Sequence, residues 1–374
     1  MHDLSRGVDS PKLKQAVLQN RLPLHLRQPR FLFCRLVDKR NHMRKVKGLF
    51  LLLAGFNAFS QQTDSSQLVS AKQQPEYIWV FSSPKLINAN TVEMLPAGIL
   101  QFKVTHNFGD IAGDNGGIEQ FFGLDNVQDV RIGFQYGLSK KVNIIAARAK
   151  GADQFPNTIE LRQLYELGIK YRLTQQANGA GHPFSISFFG NIVACAMEAE
   201  PDTTLLWKKT DNSFESFSDR LSETLQLMIA RKFGKLSLQL SPTIVYRHYV
   251  MEGDQNTIFA LGGAIRLPVA GRFSIIADYF HPFLAQSTID FFKDPTKGGL
   301  GTPDGVRFYD AFGIGAEFLT EGHVFHLNFT NAIEILENRL IPRNTKSWGK
   351  GEFRWGFTIT RDFDLLWKKR NRNK

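Results

Sequence analysis

The sequence predicts an all-β fold, an antiparallel up-and-down transmembrane β-barrel of about twelve strands preceded by a signal peptide. Three observations carry this expectation. Apolar and polar residues alternate with period two through run after run, the connections between runs are long and short by turns, and a basic, apolar and small-residue pattern stands ahead of the first run.

The front of the chain comes first. In "HMRKVKGLFLLLAGFNAFSQQTD" the basic residues Arg44, Lys45 and Lys47 precede an eleven-residue apolar run, Leu49 to Phe59. A helix that crosses a bilayer needs about 20 apolar residues, so this run is too short for an anchor. It fits a secretory signal ending at the small residues Ala58 and Ser60. Met43 therefore reads as the start, 1–42 as an upstream extension outside the working protein, 43–60 as the signal peptide, and Gln61 as the first mature residue. Gln61 is not Cys, which argues against a lipid anchor. Without Cys34 the mature chain keeps only Cys195, so no intramolecular disulfide forms.

The formal charge of +11 is concentrated in the same front. Residues 1–42 carry +6 and 43–60 carry +3, so the chain from Gln61 carries +2. The tail 364–374 accounts for +4 of that, leaving 61–363 at −2. A near-neutral body lacks the phosphate-neutralising face that nucleic-acid binding needs, so no nucleic-acid partner is expected.

Residues 61–96 read as a periplasmic N-terminal segment, of which 77–96 could instead fold inward as a plug. The barrel follows over 97–363. In "LQFKVTHNF", Leu100, Phe102 and Val104 oppose Gln101, Lys103 and Thr105; "YELGIKYRL" and "FRWGFTIT" repeat the pattern. Such alternation marks strands with one apolar and one polar face. Twelve runs are expected, near 97–109, 128–137, 141–149, 160–174, 183–196, 219–233, 235–249, 256–267, 272–283, 308–319, 323–332 and 351–363. Several exceed the usual globular strand of about five or six residues and suit a tilted membrane crossing of about 9–11. Long loops at one rim and short turns at the other are the asymmetry of outer-membrane barrels. The competing reading is a secreted soluble β-protein with its apolar face inward. About eight strands already suffice for a packed barrel interior, so that protein would need two domains or a sandwich, and no linker divides 97–363. The basic tail, 364–374, closes the chain.

The segments "KLINANTVEMLPAGILQFKVTHNFGDI", "FFGLDNVQDVRIGFQYGLSKKV", "YELGIKYRL", "SISFFGNI" and "GHVFHLNFTNA" resemble those of a domain-of-unknown-function β-barrel family from Gram-negative outer membranes. The resemblance implies fold and a cell outer-membrane location, and transfers no catalytic residues. The last strand is also similar to a barrel assembly signal at Gly356, Ile359 and Phe363, with Arg361 departing from it.

Candidate chemistry is sparse. The oxygen-rich loop with Asp110, Asp114, Asn115, Glu119 and Asp125 lacks EF-hand spacing. His281, His323 and His326 lack helical zinc pairing, and "KGGLGTPDG" lacks the ending of a phosphate loop. No metal, cofactor or catalytic residue is expected. The inward face is the informative one: Lys103, Arg131, Lys170, Arg172 and Arg354, with Asp129, Glu166 and Glu352, are the expected lumen-facing charges. They would line an aqueous path or pair across the lumen and close it. The function expected is passive passage or uptake of small polar solutes. The alternative is a closed structural or binding barrel that acts through its long loops; a barrel-embedded hydrolase would need a converging Ser and His that nothing in the sequence supplies. The expected partners are outer-membrane lipid, the barrel assembly machinery and a small polar solute.

Overall fold

The computed structural model describes residues 76–366 apart from 114–115, 153–154, 156–159, 180, 201–209 and 299–301. The upstream extension, the signal peptide, residues 61–75 and most of the basic tail lie outside the described residues.

Twelve antiparallel strands close into one barrel, each paired with its chain neighbours and β1 with β12. They are β1 Ile99–Asp110, β2 Val127–Gly137, β3 Val142–Ala149, β4 Leu164–Thr174, β5 Ser185–Cys195 and β6 Leu221–Phe233. The second half comprises β7 Leu236–Arg247, β8 Thr257–Ala270, β9 Phe273–Phe283, β10 Ala311–Thr320, β11 His323–Thr330 and β12 Arg354–Asp364. The seam joins Leu100 to Phe363 and Thr105 to Thr358. Closure leaves no sheet edge, the requirement for a sheet within a bilayer.

Alternation assigns the faces. On β4, Tyr165, Leu167, Ile169 and Tyr171 are exposed on the outer side, whereas Glu166 and Lys170 are buried inside. Ile132 and Phe134 of β2, Phe259 and Leu261 of β8, and Leu327 of β11 extend the outer apolar surface. Connections 138–141, 234–235, 271–272 and 321–322 are tight, and 175–184 is of moderate length. Those at the other rim are longer apart from 248–256, and the longest, 284–310, carries the helix α1 Gln286–Lys293. Both ends of the barrel, near Gly98 and Leu365, meet at the short-turn rim, where the Leu365 N–H donates to the Gly98 carbonyl.

Three strands begin three or four residues later than alternation suggests, β4 at Leu164, β10 at Ala311 and β12 at Arg354. The residues ahead of them are spoken for by loops. Glu160 accepts the Phe155 N–H at 2.6 Å, Phe308 packs on Phe155 and Phe292, and Phe353 stacks on Trp348.

Candidate functional site

The interior is filled from both rims. From the short-turn rim the segment 77–96 runs into the lumen without forming a strand of the wall. Its apolar residues Val80, Phe81, Leu86, Ile87 and Val92 join a buried cluster with the wall residues Phe189, Met228, Ile276 and Phe280. Its polar groups are met by inward side chains. Asp278 of β9 is the main anchor: its carboxylate accepts the backbone N–H groups of Ile87, Asn88 and Ala89 at 3.1, 2.7 and 2.9 Å and the Asn88 amide at 3.0 Å. Successive N–H groups converging on one carboxylate form an anion nest. The turn can approach because β10 carries Gly313 there; a Cβ at that position would lie 2.9 Å from Ile87 and 3.1 Å from Asp278.

Other strands complete the grip. Gln239 of β7 accepts from the Val92 N–H at 2.9 Å and donates to the Asn90 carbonyl at 2.7 Å. Asn143 of β3 pairs both ways with the backbone of Leu95, at 2.7 and 3.1 Å. Ser187 of β5 donates to the Val92 carbonyl at 2.9 Å, and Ser82 donates to Glu317 of β10.

From the long-loop rim the β11–β12 connection, 331–353, folds inward and carries the short helix α2 Glu337–Leu340, all four residues of it buried. Asn107 of β1 donates to the Ala332 and Ile333 carbonyls at 3.3 and 3.1 Å. Asn338 donates to Ser222 of β6 at 2.6 Å. The two inserts touch: Lys85 of the plug pairs with Glu337 at 2.5 Å, and Asn90 donates to the same carboxylate at 3.0 Å.

The eight charges singled out in the sequence fall into distinct settings. Arg131 binds Glu166 at 2.6 Å, and Glu166 also accepts from Asn191 at 2.9 Å. Arg354 pairs with Asp110 at 2.6 Å. Asp129 accepts the Gly151 and Ile335 N–H groups, both at 2.9 Å, and so fixes the inward loop. Lys170 donates to the Pro84 and Glu93 carbonyls at 2.8 and 3.1 Å, and so fixes the plug. Lys103 is buried beside a cavity of about 20 Å³ that Lys85, Arg131, Glu166 and Glu337 also line. Arg172 stands at the short-turn rim, 3.9 Å from Glu93 and over the Trp79 ring. Glu352 precedes β12 in the loop, where it accepts the Ser347 N–H at 3.0 Å.

Asp278 also lies on an inward face that alternation would have assigned. The cluster near the long-loop rim had no periodic signal to reveal it. There Arg339 binds Asp211 at 2.8 Å, Glu334 at 2.9 Å and also Glu160. Arg343 binds Asp254 at 2.6 Å and also Asp211, and Arg247 binds Asp254 at 2.9 Å. Burial pushes Glu334 up to about 8 despite Arg339. Burial acts the same way on Asp254, but Arg247 and Arg343 outweigh it and hold that carboxyl down to about 2. Three guanidinium groups, Arg247, Arg339 and Arg343, thus face four carboxylates, Glu160, Asp211, Asp254 and Glu334.

Residues 81–363 match the family model described as membrane bound beta barrel domain (DUF5777). The chain belongs to that family. It is a membrane-bound β-barrel, and the apolar outer surface is the face a bilayer requires. No curated protein sequence matches the chain significantly. Similar solved barrels include a KdgM porin in complex with disordered oligogalacturonate, at 8% identity and a TM-score of 0.40 over 70% of this chain and 99% of that one. An outer membrane channel from Pseudomonas putida F1 matches at 13% identity and a TM-score of 0.42 over 73% and 98%. The outer membrane phospholipase A from Escherichia coli matches at 12% identity and 0.35 over 75% and 98%.

Proposed function

We propose that this barrel is an outer-membrane channel for small polar solutes, held closed by its own N-terminal plug, and that it has no catalytic role. One observation carries the reading. The twelve strands complete their ladder with one another; the plug is held by side chains and, at its start, by backbone bonds to the β4–β5 turn, where Ile78 N–H donates to the Gln176 carbonyl at 2.8 Å, so its departure would leave the wall whole. The inward rows Gln101–Lys103–Thr105 and Ser237–Gln239–Ser241–Thr243 are polar and would be solvated by water. Export by the signal peptide from Met43, with the mature chain starting near Gln61, belongs to the same proposal.

The buried Arg339–Arg343 cluster favours a second reading, a permanently closed barrel whose long loops bind a partner. Conductance in planar bilayers separates the two. The intact barrel should be closed most of the time, and a barrel lacking 61–96 should conduct more, with a further gain when 333–346 is also removed. A correctly folded barrel that stays silent without both segments would reject the channel and leave the closed barrel standing.

A further inference from the structure

Outside the lumen, a second pocket opens on the outer side of the long-loop rim, where β9 runs into the 284–310 connection. It has a volume of about 550 Å³, within the range of small-molecule sites. Its floor is apolar, with Pro282, Phe283, Leu284, Ile289 and Phe308; its upper edge carries Lys293 and Arg307.

The sequence explains why the two cations stand together. Lys293 ends α1 directly after Phe291 and Phe292, and the Val306 N–H donates to the Phe292 carbonyl at 2.7 Å, bringing Arg307 alongside Lys293. Phe292 and Val306 are buried in one cluster with Phe155 and Met251, against which Phe308 packs. The edge is thereby fixed before any ligand arrives. Both cations are exposed, and neither has an ion pair within 4 Å among the described residues. The lining carboxylate, Asp310, is already engaged by the Tyr279 hydroxyl and by His281 at 3.0 Å. Tyr279, His281 and Phe283 lie on the outward row of β9, beside the exposed Phe259 of β8. Aromatic residues on the outer face near a rim mark the level of the lipid headgroups, so apolar floor and basic edge straddle that level.

We propose that this pocket binds a lipid of the leaflet at the long-loop rim through an anionic phosphate headgroup. Lys293 and Arg307 hold the phosphate, and an acyl chain lies along Phe283, Leu284 and Ile289. Basic side chains at a membrane surface attract anionic headgroups, and a guanidinium matches phosphate oxygens in pairs.

The full chain, purified in detergent and exchanged into mixed micelles, tests this by native mass spectrometry of retained lipid. Phosphatidylglycerol should be retained over phosphatidylcholine by about thirty-fold, the ratio two basic residues provide. K293E/R307E changes two exposed loop residues and should abolish that preference, while K140E/K141E at the opposite rim should keep it. Equal retention of the two lipids, or wild-type preference in K293E/R307E, would overturn the proposal. So would complete displacement by millimolar inorganic phosphate, since the apolar floor would then hold nothing.

Discussion

Asp278→Ala tests how the plug is held. The carboxylate accepts three backbone N–H groups and one amide from residues 87–89, and the change leaves all four donors to find water. A hydrogen bond to a charged group contributes about 1.5–3 kcal/mol net. The four do not add, because the same carboxylate is desolvated in making them. Each buried donor left unsatisfied costs about 1–3 kcal/mol, and with water reaching some of the four once the carboxylate is gone we adopt about 3–5 kcal/mol for the set. At about 1.4 kcal/mol per factor of ten, the plug should leave its seat roughly a hundred to a few thousand times more often. Asp278→Asn keeps one acceptor and should fall in between. Hydrogen exchange at the Ile87, Asn88 and Ala89 amides reads the effect directly, and the frequency of channel openings reads it functionally. Gly313→Ala should act in the same direction from the opposite side, through the methyl it forces against Ile87. If Asp278→Ala left these amides as protected as in the parent and openings as rare, the nest would not be what holds the plug.

Three further outcomes are expected. Ile169→Arg, at the centre of β4 on the outer face, should impair assembly by about 2–4 kcal/mol, whereas Leu138→Arg at a rim should cost about 0–1 kcal/mol; yields of folded, heat-modifiable barrel report it. Arg339→Met should strand Glu160 and Glu334, leave Asp211 to Arg343 alone, and raise exchange across 331–346 by the factor that about 3–5 kcal/mol implies. The same loop should respond to pH in two directions. Glu334, raised to about 8, binds a proton in the folded loop that the open loop releases, so protection should fall as pH rises from about 5 to 8. Asp254, held down to about 2, contributes stability that is present above its ordinary range near 4 and lost as pH falls toward 2. Protection corrected for intrinsic exchange, measured from pH 3 to 8.5, should therefore peak between these limits, and a flat profile would sink the assignment.

The wall was legible in the sequence because its two faces meet different media. Period two survives wherever one side chain in two must be apolar, as along Tyr165, Leu167, Ile169 and Tyr171. It misleads at strand starts, since Glu160, Phe308 and Phe353 continue the alternation while serving loops. The inserts left weaker traces. Residues 77–96 allowed either a periplasmic segment or a plug, because the choice depends on partners such as Asp278 and Gln239 more than a hundred and forty residues away. In "NAIEILENRLIPRN" the charges sit among aliphatic residues with no sustained period, and only the fold brings Glu160, Asp211 and Asp254 around Arg339 and Arg343.

The lumen charges fall into three kinds, and the division bears on how such a barrel could open. Arg131–Glu166 joins β2 to β4, Arg354–Asp110 joins β12 to β1, and Arg266–Glu317 joins β8 to β10 at 2.7 Å. These pairs are wall to wall and would remain paired in an empty lumen. Asp278 and Lys170 are different, since their hydrogen-bond partners belong to the plug. Lys85–Glu337 is different again, joining the plug to the inward loop. A departing plug therefore changes the state of these groups, of Glu317 and Arg172, which also meet Ser82 and Glu93, and of the neutral side chains Gln239, Asn143 and Ser187, and water entering the same space would solvate them as they are released. An apolar filling would have to expose its whole surface instead, at about 25 cal/mol for each Å². Here that cost falls on the wall patch around Phe189, Met228, Ile276 and Phe280 and on the plug residues packed against it, Val80, Phe81, Leu86, Ile87 and Val92. On the channel reading proposed above, the polar majority of the interior would make closure reversible, and the apolar patch would make the closed state the resting one.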